Sequence, residues 1–142
     1  MKIFTNPNAQ LKSKFGEYQI AVLGNIVAVS AEGTASKSAI ARYSQDMIEV
    51  ISGFQGGDWA FLGFLHGAAM LTPDAESELQ KSIEWRAGKG MKLGALVTGR
   101  TTIEGLVKSQ FERIYRKAGV KLGIFSTEEQ AVRWLAQQGF MM

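Results

Sequence analysis

Apolar and polar positions change period several times along the chain, and each change marks an element. Tyr18 to Leu23 and Ile26 to Ala31 are β-prone runs joined by Gly24-Asn25. A two-residue connection of this kind suits a tight hairpin, because glycine takes positive φ at little cost. Ile40, Tyr43, Met47, Val50, Ile51 and Phe54 then recur at helical spacing, while Arg42, Gln45, Asp46 and Glu49 fall on the other face. The spacing predicts an amphipathic helix over about 35–53, stopped by Gly53 and the Gly56-Gly57 pair. Trp59 to Leu65 has no polar alternation, the mark of a strand covered on both faces, and is expected to be central.

Thr72-Pro73-Asp74 offers a capping hydroxyl, a proline at the first helical position and an acid in the first turn. The helix that follows should pack through Leu79, Ile83 and Trp85 and stop at Gly88-Lys89-Gly90. Lys92 to Thr98 reads as another buried strand. Thr101 and Glu104 have capping-box spacing ahead of a helix whose Ile103, Leu106, Val107, Gln110, Phe111 and Ile114 share a face, with Gly119 at its end. Lys121 to Phe125 is a short strand, after which Ser126 and Glu129 repeat the capping spacing and Ala131, Trp134 and Leu135 form an inner face. Residues 1–16 read as an arm docking loosely on a single α/β domain over 17–142. The order ββαβαβαβα implies a five-stranded mixed sheet. Its strands at 26–31, 59–65, 92–98 and 121–125 should be parallel, and the one at 18–23 antiparallel.

Composition narrows the chemistry more than it names it. The 142 residues are 46% hydrophobic and 20% charged, which is globular, and a formal charge of +3 is too small to indicate nucleic acid. The absence of cysteine excludes disulfides, thiolate catalysis and cysteine-held metals. With one histidine and no Asp-x-Asp pattern, neither a metal nor a cofactor is implied. No apolar run approaches the roughly 18 residues of a membrane span, and no secretory apolar core is visible, so the cytoplasm is the expected location. Gly88 to Gly94 precedes a strand and fits no nucleotide-binding loop. The basic run Lys108, Arg113, Arg116, Lys117 and Lys121 reads as a solvated helix face.

The hairpin before the alternating units resembles the SpoIIAA-like, or STAS, family of anti-sigma-factor antagonists over about residues 18–136. So do the Glu32-Gly33 exit from the second strand, the Lys89-Gly90-Met91-Lys92 entry and the Phe125 to Ala131 junction. The resemblance implies a non-enzymatic interaction or regulatory module with a protein partner, and it is compatible with a homodimer. Signalling members of that family carry an Asp-Ser-Ser-Gly run after the third strand, where a kinase partner phosphorylates a serine. Here the junction reads His66 to Asp74 without a serine, so no phosphoswitch of that kind is expected. Glu128 to Leu135 is similar to the last helix of a looser SpoIIAA-like group that lacks the phosphoserine and whose fold is related to lipid-binding CRAL-TRIO domains.

Parallel strands carry their carboxyl ends to one edge, where open α/β sheets usually hold ligands. Glu32, Thr34, His66, Thr72, Asp74, Arg100, Thr101, Thr102 and Ser126 should gather there. Arg100 with the Thr101 and Thr102 amides is the expected contact for an anion or acidic partner. His66 reads as a strand-end histidine; as a general base it would need a partner such as Asp74. The alternative function is therefore binding of a small apolar or anionic ligand at that edge, in a cavity beside His66 or Arg100.

Overall fold

A computed structural model of the chain describes residues 3–13, 16–54 and 57–142. The strands are β1 (Ala9–Ser13), β2 (Gly16–Leu23), β3 (Ile26–Glu32), β4 (Trp59–Gly67), β5 (Met91–Thr101) and β6 (Lys121–Phe125). The helices are α1 (Lys37–Ile51), α2 (Pro73–Ala87), α3 (Glu104–Ala118) and α4 (Glu128–Gln137), with one 3₁₀ turn at Ser52–Phe54. All six strands form one sheet in chain order. The pairs β1–β2 and β2–β3 are antiparallel and the remaining pairs parallel. The hairpin, the parallel set and the central place of residues 59–65 are as the sequence predicts.

The strand count is six, not five. Residues 9–13, expected within the arm, pair with β2, and Asn8 locks the junction. Its N–H donates to the Ile20 carbonyl at 2.6 Å, and its Oδ1 accepts from the Val22 N–H at 2.9 Å. Ala9 to Ser13 is only five residues long and lacks β-branched and aromatic residues, so it carries little of the signal that announces a strand. Before it, Ile3 is buried and Phe4 meets Phe64 edge-on at 6.0 Å. Met1, Lys2, Lys14 and Phe15 of the expected arm, and Gly56 of the expected helix stop, lie outside the described residues.

A right-handed crossover between neighbouring parallel strands places its helix on a face set by the direction of travel. From β3 to β6 travel never reverses, so α1, α2 and α3 all cover one face. That layer buries Val29, Tyr43, Met47, Trp59, Phe61, Leu79, Ile83, Leu96, Phe111 and Tyr115. The other face is closed by α4, through Ala131 and Leu135, and by Ile3 and Phe140 over Ala28, Leu62, Phe64 and Ala95.

Three local expectations shift. β5 runs through Thr101, so Thr101 is not a cap: α3 starts at Glu104 behind Ile103, with no side-chain cap, and Ile103 and Leu106 stay exposed. The Thr101 hydroxyl donates instead to the Thr98 carbonyl at 2.7 Å. The last capping box is Thr127 with Gln130, one residue beyond Ser126 and Glu129. In α2 the residue that completes the buried stripe is Arg86, not Trp85. Trp85 lies half-buried, with the Lys89 ammonium 5.9 Å from its ring centre.

The capping shift is directly measurable. Thr127→Ala should cost about 1 kcal/mol in a denaturant titration, the usual loss of an N-cap hydroxyl. Ser126→Ala should leave the midpoint unchanged; the opposite order would restore the Ser126 box.

Candidate functional site

The crevice that holds ligands in open α/β sheets forms where strand order reverses and neighbouring connections leave on opposite faces. This sheet has no reversal, and the residues expected at the carboxyl edge divide accordingly. Glu32, His66 and Arg100 stand side by side on β3, β4 and β5. His66, Arg100 and Ser126 line a hollow of about 650 Å³ on the α4 face, with Phe64 and Thr127. Glu32 and Thr34 border the space on the α1–α3 side. Thr72 and Asp74 are engaged in capping α2: the Thr72 hydroxyl donates to Asp74 Oδ1 at 2.6 Å, and Asp74 accepts from the Ala75 N–H at 3.0 Å. The Asp74 carboxyl is held below its ordinary range chiefly by that hydroxyl. The Thr102 N–H and hydroxyl both donate to the Gly67 carbonyl, at 2.9 and 3.3 Å, so its amide is already used.

A second, more apolar space lies between the sheet and the three crossover helices. It is a chamber of about 560 Å³. Its floor follows from two rows of facing residues, Ile20, Val29, Gly63 and Leu96 in one and Tyr18, Ala31 and Leu65 in the other. Gly63 and Ala31 stand at the centre of these rows. Gly63 is required there, since a Cβ would come within 2.7 Å of both the Phe61 ring and Leu96. Gly94 serves the same end beside it by letting the Tyr115 ring lie on the sheet, 2.8 Å from where a Cβ would stand. The roof is Ile40 and Tyr43 of α1, Leu79, Ile83 and Arg86 of α2, and Phe111 and Tyr115 of α3.

The mouth lies at the carboxyl edge, between Glu32–Ser36 and Ala69–Leu71. Two devices hold the second rim in place. On one side the Ala35 N–H donates to Met70 at 3.1 Å, and the Thr72 N–H donates to Ala35 at 3.3 Å. On the other the buried Gln110 amide copies a strand edge: its Oε1 accepts from the Leu71 N–H, and its Nε2 donates to the Leu71 carbonyl, both at 3.2 Å. Gln110 Nε2 also donates to Glu76, which Arg113 grips with two further hydrogen bonds. Gln110 fell on the predicted inner face of α3; its clamp on a loop 39 residues away has no local signal.

Titratable groups in the roof respond to burial. The Tyr43 and Tyr115 hydroxyls are pushed up, chiefly by desolvation, with the Arg86 charge opposing. At the chamber's edge the Tyr18 hydroxyl donates to Asp46 and is likewise raised, first by burial and then by that carboxylate. Among the described residues, no group of three or more His, Asp or Glu side chains is placed to hold a metal ion. None of their helices is long and apolar enough to cross a membrane.

No protein-family model matches the chain, and no curated protein matches it. Among solved structures it is similar to an uncharacterized protein from the DUF3478 family with a SpoIIAA-like fold, from Shewanella loihica PV-4. The TM-score is 0.64, with 16% identity over 88% of this chain and 98% of that one. The fold is SpoIIAA-like, as the element order and junction residues imply.

The rim carries a pH dependence of definite sign. The Glu76 carboxyl is held below its ordinary value, first by the hydrogen bond from Arg113 and then by Gln110, against the opposing effect of burial. A depressed carboxyl contributes stability that is present above the unfolded value and lost as pH falls through the folded one. Denaturant midpoints of wild type and Glu76→Gln should therefore differ most at neutral pH and converge in acid. A difference that is constant with pH would remove Glu76 from this role.

Proposed function

We propose that the chain is a binding module that holds one small, mainly apolar molecule in the chamber between the sheet and α1–α3. The observation that carries this reading is the chamber itself. Protein interiors pack to crystal-like density, and unfilled apolar volume destabilises in proportion to its size. A chamber of about 560 Å³ with apolar walls falls within the range of small-molecule sites, roughly 300–1,000 Å³. Phe61, Leu65, Ile83, Leu96 and Phe111 supply walls without chemistry, which suits retention better than turnover. The reading as an interaction or regulatory module rests on the fold, which hosts many functions. The chamber belongs to this chain's own residues, and so favours the ligand reading over a flat-faced one.

The test uses N-phenyl-1-naphthylamine, an uncharged apolar fluorophore. Wild-type protein should enhance its emission saturably with one site per chain. Ala31→Leu, which adds volume at the centre of the floor and removes no hydrogen bond, should weaken that binding by about tenfold or more while leaving thermal stability equal or higher. Absence of saturable binding, or equal binding by Ala31→Leu, would contradict the proposal.

A further inference from the structure

Helix α2 turns Ala75, Leu79, Ser82, Ile83 and Arg86 inward. Four of these are ordinary for a buried stripe and the fifth is not. Arg86 is 0% exposed, and a guanidinium presents five N–H donors and no acceptor. Its Nη2 donates to Ser82 Oγ at 3.1 Å, and its Nε is buried without a partner. Among the described residues no carboxylate pairs with it: the ion pairs there are Lys81–Glu78, Lys92–Asp58, Lys108–Glu104 and Arg113–Glu76. The guanidinium carbon instead stands 5.1 Å from the Tyr43 ring centre and 5.4 Å from that of Phe61.

Aromatic faces and the carbonyl end of α2 compensate part of a buried cation. They accept none of its hydrogen bonds in the way an anion does. A second orphan stands nearby, since the Tyr115 hydroxyl also lines the chamber and is buried without a partner. α2 begins beside the mouth and runs back under the sheet's amino ends, so Arg86, in its last turn, is at the inner end. Glu17 and Glu32 border the chamber at the mouth, the end away from Arg86.

We propose that Arg86 anchors an anionic head group, and that the molecule held is a carboxylic acid on an apolar chain. This deepens the ligand reading above and rests on it. The carboxylate accepts from the free Nε–H of Arg86 and from the Tyr115 hydroxyl, and the chain runs over Gly63 and Ala31 toward the mouth. A single cation among apolar walls matches a single negative charge; a phosphate dianion would call for more donors than the chamber offers. His66 and Arg100 face the other side of the sheet and take no part.

Decanoate and 1-decanol, which share a chain and differ at the head, are the probes, read by displacement of N-phenyl-1-naphthylamine. Wild type should prefer decanoate by about tenfold or more, the scale of a charge-assisted hydrogen bond in a dry site. Arg86→Met should lose that preference and keep decanol, and should melt no lower than wild type, because a methionine suits the apolar walls and leaves no unpaired charge. Tyr115→Phe, which removes one hydroxyl, should weaken decanoate alone, by a few-fold. Equal binding of acid and alcohol by wild type, or an unchanged preference in Arg86→Met, would overturn the anchor and leave the chamber standing. Failure of the fluorophore and of both probes to bind wild type would overturn both.

Discussion

The handedness of the crossovers governs everything that follows in this structure. Because β3, β4, β5 and β6 succeed one another without a reversal, every right-handed connection deposits its helix on the same face. A reversal would have split the connections and opened a crevice at the carboxyl edge. Without one, the apolar space arises within a layer, where helices fail to meet the sheet. Ala31 keeps the floor low, Gly63 gives room to the Phe61 ring and Leu96, and Gly94 lets Tyr115 settle low enough to wall one side.

The two faces of the sheet show opposite packing solutions. Under α4 the inward residues of β3, β4 and β5 include Ala28, Leu62, Phe64 and Ala95, which Ala131, Leu135, Ile3 and Phe140 fill. Under α1–α3 large rings stand around a hollow, and Arg86, the one fully buried charged side chain among the described residues, has no ion pair there. A buried cation that cannot lose its proton is tolerated only with compensation. Arg86 has Ser82, two ring faces and a helix carboxyl end, which accounts for the folded state without supplying an anion. The rim is fixed independently of all this by the Ala35 bridge and the Gln110 clamp, so the mouth is a built feature and not the loose end of a loop.

Much of the fold was legible because its signals are local. The Gly24 turn, with φ of 59°, the Thr72-Pro73 start of α2 and the left-handed Gly119 stop of α3 each announce themselves within a few residues. The misses have local causes too. Ala9 to Ser13 is a short edge strand without β-branched or aromatic residues, and Thr127 competes with Ser126 for the same capping task. The site was far less legible. The carboxyl edge follows from parallel strands, but which of its residues turn to which face depends on register that hydrophobic patterning cannot report. Arg86 shares a stripe with Ala75, Leu79, Ser82 and Ile83, and that spacing alone could have drawn attention to it. Its charge argued for solvent, and Trp85 beside it looked the better candidate for burial. That Gly63 makes room for Phe61 and Leu96 depends on the pairing of β4 with β3 and β5, which no single stretch of chain reveals.

The central claim is that a desolvated guanidinium waits in the chamber for an acid, and nitrogen-edited NMR of the arginine side chains reads it directly. In the free protein the Arg86 Nε–H should give a resonance that exchanges slowly with water, identified by its loss in Arg86→Met. Titrated decanoate should move that resonance downfield, as a hydrogen bond to a carboxylate does, while 1-decanol leaves it near its starting position. An Nε–H that exchanges as fast as those of surface arginines, or one that decanoate does not shift, would contradict the account.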